Sequence, residues 1–305
     1  MSSTLISGSL GFVGQNLIPH LANQGYNIST LGRSSSDFSW NDLTAIPGGI
    51  GSYIHLAGKA HDVSNTSQAE DYFKVNTDLT IALFEQFLKS DAEVFIYMSS
   101  VKAAADTVEG VLTEEHQADP RTPYGQSKRK AEEYLLNAKL PRGKRVYILR
   151  PCMIHGPGNK GNLNLLYKFV QKGIPYPLGA FKNRRSFLSI DNLNFVILQL
   201  LQNADIPSGV YQLSDDEALS TSELVKLIGE NSGKKARLLN IPKGAMSALA
   251  ALGGKLKLPL NPDRLKKLTE SYIVSNAKIK AALSIDKMPV STKAGLIKTI
   301  KSFAQ

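Results

Sequence analysis

Thr4 to Ser7 is a short apolar run, the heptapeptide Gly8 to Gly14 holds three glycines, and apolar Leu17 and Leu21 then lead to Gly25. This order predicts strand, tight turn and amphipathic helix. The alternation continues. Asn27 to Leu31 and Ser52 to Ala57 read as strands, and Glu93 to Ser100 as a buried strand. Between the last two, Asp71 to Lys89 reads as a helix with Phe73, Leu79, Leu83, Phe84 and Phe87 on its apolar face. Only the polar segment Asp37 to Gly51 separates the second and third strands, so that βα unit must be abbreviated. Asp106 to Arg121 is polar and predicts a loop. Pro123 then starts a helix whose apolar face runs through Ala131, Leu135 and Ala138, before the strand Arg145 to Ile154, interrupted by Pro151. Strands alternating with helices predict an α/β chain with a parallel, doubly wound sheet.

Beyond His155-Gly156-Pro157-Gly158 the pattern changes to a helix from Leu163 to Lys172, a turn at Pro175 to Gly179 and the polar stretch Arg184 to Asp191. Ser220-Thr221-Ser222-Glu223 has capping-box spacing before the apolar run Leu224, Leu227, Ile228. Gly244 to Gly254, with Met246, Leu249 and Leu252 among alanines, predicts a small-residue helix followed by Lys255-Leu256-Lys257. A packed or mobile lobe helix is the expectation there, with contact to a membrane surface as the alternative. These breaks divide the chain into a first domain, 1–157, and a smaller C-terminal α/β lobe, 158–305, with segments such as 186–200 expected to pack back on the first domain.

The chain has 305 residues, 42% hydrophobic and 20% charged, which predicts a sizeable core. No apolar run approaches the ~18 residues a bilayer span needs, and Met1-Ser2-Ser3 leads straight into a strand, so a soluble, cytoplasmic protein is expected. The single cysteine, Cys152, rules out an internal disulfide and reads as a small core residue. His55, His61 and His155 lack metal-ligand spacing, so no metal is expected. The net charge of +10 invites a nucleic-acid reading, but the cations are spread along the chain and neither zinc-finger spacing nor an aromatic-rich strand accompanies them. A diphosphate-bearing substrate fits that charge better.

The candidate chemistry starts at Gly8, Gly11 and Gly14, whose spacing lets the backbone turn tightly and approach a pyrophosphate at a helix N-terminus. The second strand ends in Gly32-Arg33-Ser34, without the acid that would bind an unphosphorylated adenosine ribose, and Arg33 can pair with a phosphate. That predicts NADP(H), with NAD(H) as the alternative. Ser99 and Ser100 stand at the carboxyl end of a strand, where ligands of open α/β sheets lie. Tyr124 and Lys128, four apart on a helix, share one face, and a cation fixed beside a phenol favours its ionised form. Tyr-x-x-x-Lys alone arises by chance in a chain with 11 tyrosines, so the pair gains meaning only from its company.

With the glycine motif, the HLAG segment at 55–58, Ser100 and the Tyr124/Lys128 pair in this order, the chain resembles the extended short-chain dehydrogenase/reductases. More narrowly, it is similar to nucleotide-sugar epimerases and 4-keto-sugar reductases related to UDP-glucose 4-epimerase. The resemblance implies a Rossmann-type domain and oxidoreduction at C4 of a UDP-sugar, as a 4-keto reductase or a 4-epimerase. A nucleotide-binding regulator without turnover would not need Ser100, Tyr124 and Lys128 together. By resemblance Tyr124 is the acid/base, Lys128 lowers its pKa and holds the nicotinamide ribose, and Ser100 bonds the reacting oxygen. Phe12 and Val13 would donate to the pyrophosphate, while Leu56, Ala57, Gly58 and Pro151 would line the cofactor. Asn162 would face the nucleotide-sugar and Arg185 its diphosphate, with a homodimer as one compatible assembly. Met153 stands where many epimerases have an Asn that contacts the sugar.

Overall fold

The computed structural model describes residues 3–59, 68–256 and 261–304, which leaves His61 and Lys257 outside the described residues. In chain order the first half comprises β1 (Ser3–Ser7), α1 (Phe12–Asn23), β2 (Asn27–Gly32), β3 (Phe38–Ser39), β4 (Ile50–His55), α2 (Ala69–Phe73), α3 (Leu79–Lys89), β5 (Val94–Met98), β6 (Val111–Leu112), α4 (Pro123–Asn137) and β7 (Arg145–Pro151). The second half comprises β8 (Met153–His155), α5 (Asn162–Gln171), β9 (Phe187–Ser189), α6 (Ile190–Gln202), β10 (Gly209–Leu213), α7 (Thr221–Asn231), α8 (Lys243–Lys255), α9 (Pro262–Thr269), β11 (Ile273–Val274), α10 (Ala277–Ala282) and α11 (Thr292–Ser302).

Seven strands form one sheet in the order β10-β7-β5-β4-β1-β2-β3, and every pairing in it is parallel. Side chains alternate across it, as strand geometry requires. Ile6, Ile54, Ile96 and Tyr147 face one cluster with Leu17 of α1 and Leu193 and Val196 of α6. Leu5, Tyr53, Phe95 and Ile148 face the other, with Phe84 and Phe87 of α3 and Leu135 of α4. Both faces are therefore covered, which is why β5 is buried at all five positions.

The strand order reverses between β1 and β4, and the crevice outside their carboxyl ends is the place where such sheets bind ligands. As the short spacing predicted, no α-helix intervenes between β2 and β4. A single 3-10 turn, Leu43–Ala45, capped by Asp42, does the work. The helix predicted over 71–89 is broken by a π-helical turn, Lys74–Asp78, between α2 and α3. The strand predicted to reach Ile154 ends at Pro151, and the chain then leaves the main sheet to pair β8 with β9.

A third cluster lies apart from the sheet, joining Leu163 and Val170 of α5, Leu224 and Ile228 of α7, Met246 of α8 and Leu296 of α11. In β9, Phe187 belongs to this cluster and Leu188 to the sheet's, so one short strand ties the two together. The loop predicted over 106–121 contains β6, which pairs with β11. Cys152 is buried as expected, and burial pushes its thiol well above the ordinary value.

Candidate functional site

Gly8 adopts the left-handed conformation, φ +75°, and a Cβ there would lie 2.7 Å from the Ala57 amide nitrogen. The turn after β1 is thereby pressed against the segment leaving β4. Gly14, inside α1, is needed for the same reason, since its Cβ would meet the Gly8 carbonyl oxygen at 2.5 Å. Gly11 caps α1 in extended conformation, with no side-chain cap and no acid in the first turn. The amides of Phe12 and Val13 therefore begin the positive end of the helix dipole.

Beneath this turn runs a directional chain of hydrogen bonds. The Ala57 N–H donates to Ser7 Oγ (3.2 Å), and Ser7 Oγ contacts His55 Nδ1 at 2.6 Å. His55 Nε2 contacts Thr80 Oγ1 at 2.9 Å, whose own proton goes to the Asn76 carbonyl at 2.7 Å. Thr80 must then accept from His55, so Nε2 carries the imidazole proton and Nδ1 accepts from Ser7. Burial, with Lys128 adding to it, holds the His55 pKa down at about 3. The ring is neutral and serves as a rivet.

Asn76, in the π-turn and fully buried, is the second rivet. Its Oδ1 accepts from the Lys59 amide (2.7 Å), and its Nδ2 donates to the Lys59 carbonyl (3.1 Å) and to Ser127 Oγ (3.0 Å). Ser127 Oγ in turn donates to the Tyr124 carbonyl at 2.8 Å. The segment after β4 is thus locked to α4. Sequence reasoning missed Asn76; the signal was a polar Asn-Thr-Asp step inside an otherwise apolar-faced helix, where π-turns often mark functional positions.

The entry to α4 is fixed by Asp106, which accepts from the Arg121 amide (2.7 Å) and from the Thr122 amide and hydroxyl (both 3.1 Å). Thr122 caps the helix and Pro123 opens it. Tyr124 stands at this start, its phenol hydrogen-bonded to the Ser100 side chain and its ring edge-on to Tyr72 at 6.2 Å. Ser100 follows β5 and also accepts from the Lys102 amide at 3.2 Å. Lys128 lies one turn further on, with Nζ donating to the Met98 carbonyl at 2.8 Å and sitting 4.8 Å over the Tyr97 ring.

The electrostatics correct one expectation. Burial pushes the Tyr124 phenol up, against the Ser100 hydrogen bond that lowers it, whereas the Tyr124/Lys128 spacing had predicted a depressed phenol. Burial outweighs the other influences on the phenol; Lys128 donates to the Met98 carbonyl and sits over Tyr97, and its own pKa is lowered to about 8 by burial, with Glu132 partly holding it up. Glu132, one further turn along, is itself buried. It accepts from Ser99 Oγ and from Arg150 through Nε (2.9 Å) and Nη2 (2.5 Å), a two-pronged ion pair that pins α4 to β7.

Gly58 completes the convergence, since a Cβ there would lie 3.0 Å from both Lys128 Nζ and Asn76 Oδ1. Leu56 donates its amide to the Ser7 carbonyl at 3.2 Å, and Pro151 ends β7 beside Leu213 of β10. Arg33 is exposed in the loop after β2. Asp37, the nearest acid in that loop, is turned back onto Thr30, accepting from its amide at 2.7 Å and its hydroxyl at 2.9 Å.

The substrate-side residues are placed less simply. Asn162 is the exposed first residue of α5, and Gly161 rather than Asn162 caps that helix. Arg185 is half-buried and donates to the carbonyls of Glu270 (3.2 Å) and Lys267 at the end of α9, so part of its fork serves the lobe itself. Burial lowers its pKa. Lys102, unnoticed in the sequence, has its pKa lowered by burial against Asp106 and Glu270, which raise it, with Arg185 and Lys267 near enough to lower it slightly further, and it lies 4.4 Å over the Tyr272 ring. Met153 packs partly buried against the lobe cluster. Among the described residues, no group of three or more His, Cys, Asp or Glu could hold a metal ion.

A family model described as the NAD dependent epimerase/dehydratase family matches residues 4–213. The chain is 31% identical, over 99% of its length and 96% of the other's, to a UDP-glucose 4-epimerase of Vibrio cholerae. It is also 26% identical, over 80% of its length and 62% of the other's, to a UDP-2-acetamido-2,6-beta-L-arabino-hexul-4-ose reductase of Pseudomonas aeruginosa. Of solved structures, MoeE5 in complex with UDP-glucose and NAD matches with a TM-score of 0.77 at 20% identity, covering 99% of this chain and 98% of that one. RMD from Pseudomonas aeruginosa complexed with NADPH matches at 0.74 and 20% identity, covering 100% and 99%.

Proposed function

Because this chain belongs to the NAD dependent epimerase/dehydratase family, and its relatives include a UDP-glucose 4-epimerase and a UDP-linked 4-keto-sugar reductase, we propose that it moves hydride at C4 of a UDP-linked hexose or hexosamine, as a 4-keto reductase using NADPH. The observation that carries this reading is the meeting of Ser100, Tyr124 and Lys128 outside the carboxyl end of β5, beside the crevice between β1 and β4.

The donor set suits a dinucleotide. The Gly8 turn and the amides of Phe12 and Val13 would take the pyrophosphate, the segment Leu56, Ala57, Gly58 would wall the cofactor, and Lys128 and Pro151 would flank the nicotinamide end. When bound, the nicotinamide supplies or accepts the hydride. Tyr124 delivers its proton to O4 as the C4 carbonyl becomes an alcohol, and Ser100 hydrogen-bonds the same oxygen while charge develops on it. A phenol held above its ordinary pKa carries its proton at neutral pH, as a proton donor must. Asn162 and Arg185 would meet the UDP-sugar, with Lys102 adding positive charge near its diphosphate.

The cofactor preference rests on the end of β2. Arg33 is exposed there to meet a 2′-phosphate, while no acid ends β2 and Asp37, the nearest in the following loop, is hydrogen-bonded to Thr30. A second reading, a 4-epimerase that retains NAD, is favoured by the likeness to the Vibrio cholerae epimerase over nearly the whole chain. Under either reading Tyr124→Phe lowers turnover by roughly 10²-fold or more with cofactor binding kept. Near wild-type turnover in that variant removes Tyr124 from the role.

A further inference from the structure

The charge of this chain is divided unequally. Residues 158–305 carry 22 Lys and Arg against 10 Asp and Glu, whereas 1–157 carry 14 against 16, so the entire positive excess belongs to the second half. Within it, 234–268 holds nine Lys and Arg and one acid, Asp263. Every one of those cations whose burial is described is exposed.

The same stretch is rich in exposed leucine. Leu239, Leu249, Leu252, Leu256 and Leu268, between 46% and 61% exposed, are five of the eleven large hydrophobic side chains that stand out to solvent among the described residues. Single exposed leucines are ordinary on any surface, but three on one side of one helix, within a stretch of exposed cations, mark a contact face. Helix α8 turns Met246, Ala250 and Gly253 inward. At 100° per residue, Leu249, Leu252 and Leu256 fall within an outward arc of about 60°. The helix therefore has two apolar faces, one spent on the lobe core and one facing out. Neighbouring α9 buries Leu265 and exposes Lys266, Lys267 and Leu268.

We propose that the outer face of α8 and α9 binds the surface of an anionic phospholipid bilayer, with its leucines at the headgroup boundary and its cations on lipid phosphates. Charge decides between occupants. A second copy of this chain would bring two such cation-rich stretches face to face, and a nucleic acid would set phosphates against the leucines of α8. Among the described residues no helix is long and apolar enough to cross a membrane, so the contact is peripheral. Helix α9 also accepts Arg185 at its carboxyl end, which links this face to the substrate-side cations through one helix.

The test is flotation of the full chain with vesicles of phosphatidylcholine alone or with about one-third phosphatidylglycerol. The protein should float with the anionic vesicles, stay behind with the neutral ones, and be released by high salt. Leu249→Ser/Leu252→Ser and, separately, Lys266→Glu/Lys267→Glu should each lower partition roughly tenfold while keeping the wild-type thermal midpoint. Absence of flotation with anionic vesicles overturns the proposal, as does equal partition of both folded variants and wild type. A leucine variant that turns a dimer into a monomer in sedimentation without changing flotation assigns the face to a second copy. Capture by a DNA or RNA oligomer but not by vesicles assigns it to nucleic acid.

Discussion

In the half built on the sheet, Ser7, His55, Asn76, Thr80 and Ser127 are all buried, and each is hydrogen-bonded to another of them. Between 234 and 268 in the lobe, the described cations and five leucines face solvent instead. The first arrangement holds backbone segments to fractions of an ångström, because a buried polar group left unpaired is costly. The second contributes little to folding and leaves side chains free to meet something else. Substitutions should therefore cost stability in one region and change contacts in the other.

The largest expected effect is at the buried ion pair. Arg150→Met strips the buried Glu132 of its two-pronged partner, leaving it only Ser99 Oγ and a longer contact to Arg129 at 3.7 Å, and should destabilise by about 3–5 kcal/mol in urea unfolding. A loss below about 1 kcal/mol would put this pair in the solvated class and break the contrast with the lobe. Arg33→Ala sharpens it from the other side, because Arg33 belongs to the sheet half yet is exposed. It should leave stability unchanged and weaken NADPH by roughly 10- to 100-fold in a binding titration, with NADH nearly unaffected. Equal losses for the two cofactors would move the preference away from Arg33.

The smallest effect is a pH dependence. His55 is held at about 3 in the folded chain against about 6.5 unfolded, so the unfolded state takes up the proton first as pH falls. Stability from this group is present above pH ~6.5 and is lost on acidification toward 3, by about 1.4 kcal/mol per pH unit once below the unfolded value. Unfolding at pH 6.5 and 5 should show wild type losing roughly 1–2 kcal/mol more than His55→Asn. Parallel losses in the two proteins would mean that His55 is not buried neutral.

Strand and helix periodicity made the sheet half legible, since parallel strands covered on both faces read as apolar runs and Gly8 to Gly14 announces its own turn. Of the candidate site, the order of Ser100, Tyr124 and Lys128 along the chain was legible, and the structure brings the Ser100 side chain to the Tyr124 phenol. The site was not legible where a side chain's direction decides the outcome. Spacing put Tyr124 and Lys128 on one face but could not reveal that burial raises the phenol while Lys128 donates to the Met98 carbonyl. His55 and Asn76 bond across 25 and 51 residues to Thr80 and Ser127, and no local pattern encodes such partners. Arg185 looked like a free anion fork because the α9 carbonyls it meets lie 82 and 85 residues away. The face of α8 was visible only as small residues with leucine; which leucines turn outward depends on how the lobe packs.

The most direct measurement of the central claim is a redox balance. The purified protein is given NADPH and a UDP-4-keto-hexose, and reduced nicotinamide and UDP-hexose are followed together. The account predicts one NADPH consumed for each UDP-hexose formed, with the Tyr124→Phe protein nearly inactive. Interconversion of two UDP-hexoses with no net change in nicotinamide would contradict it and make the protein an epimerase.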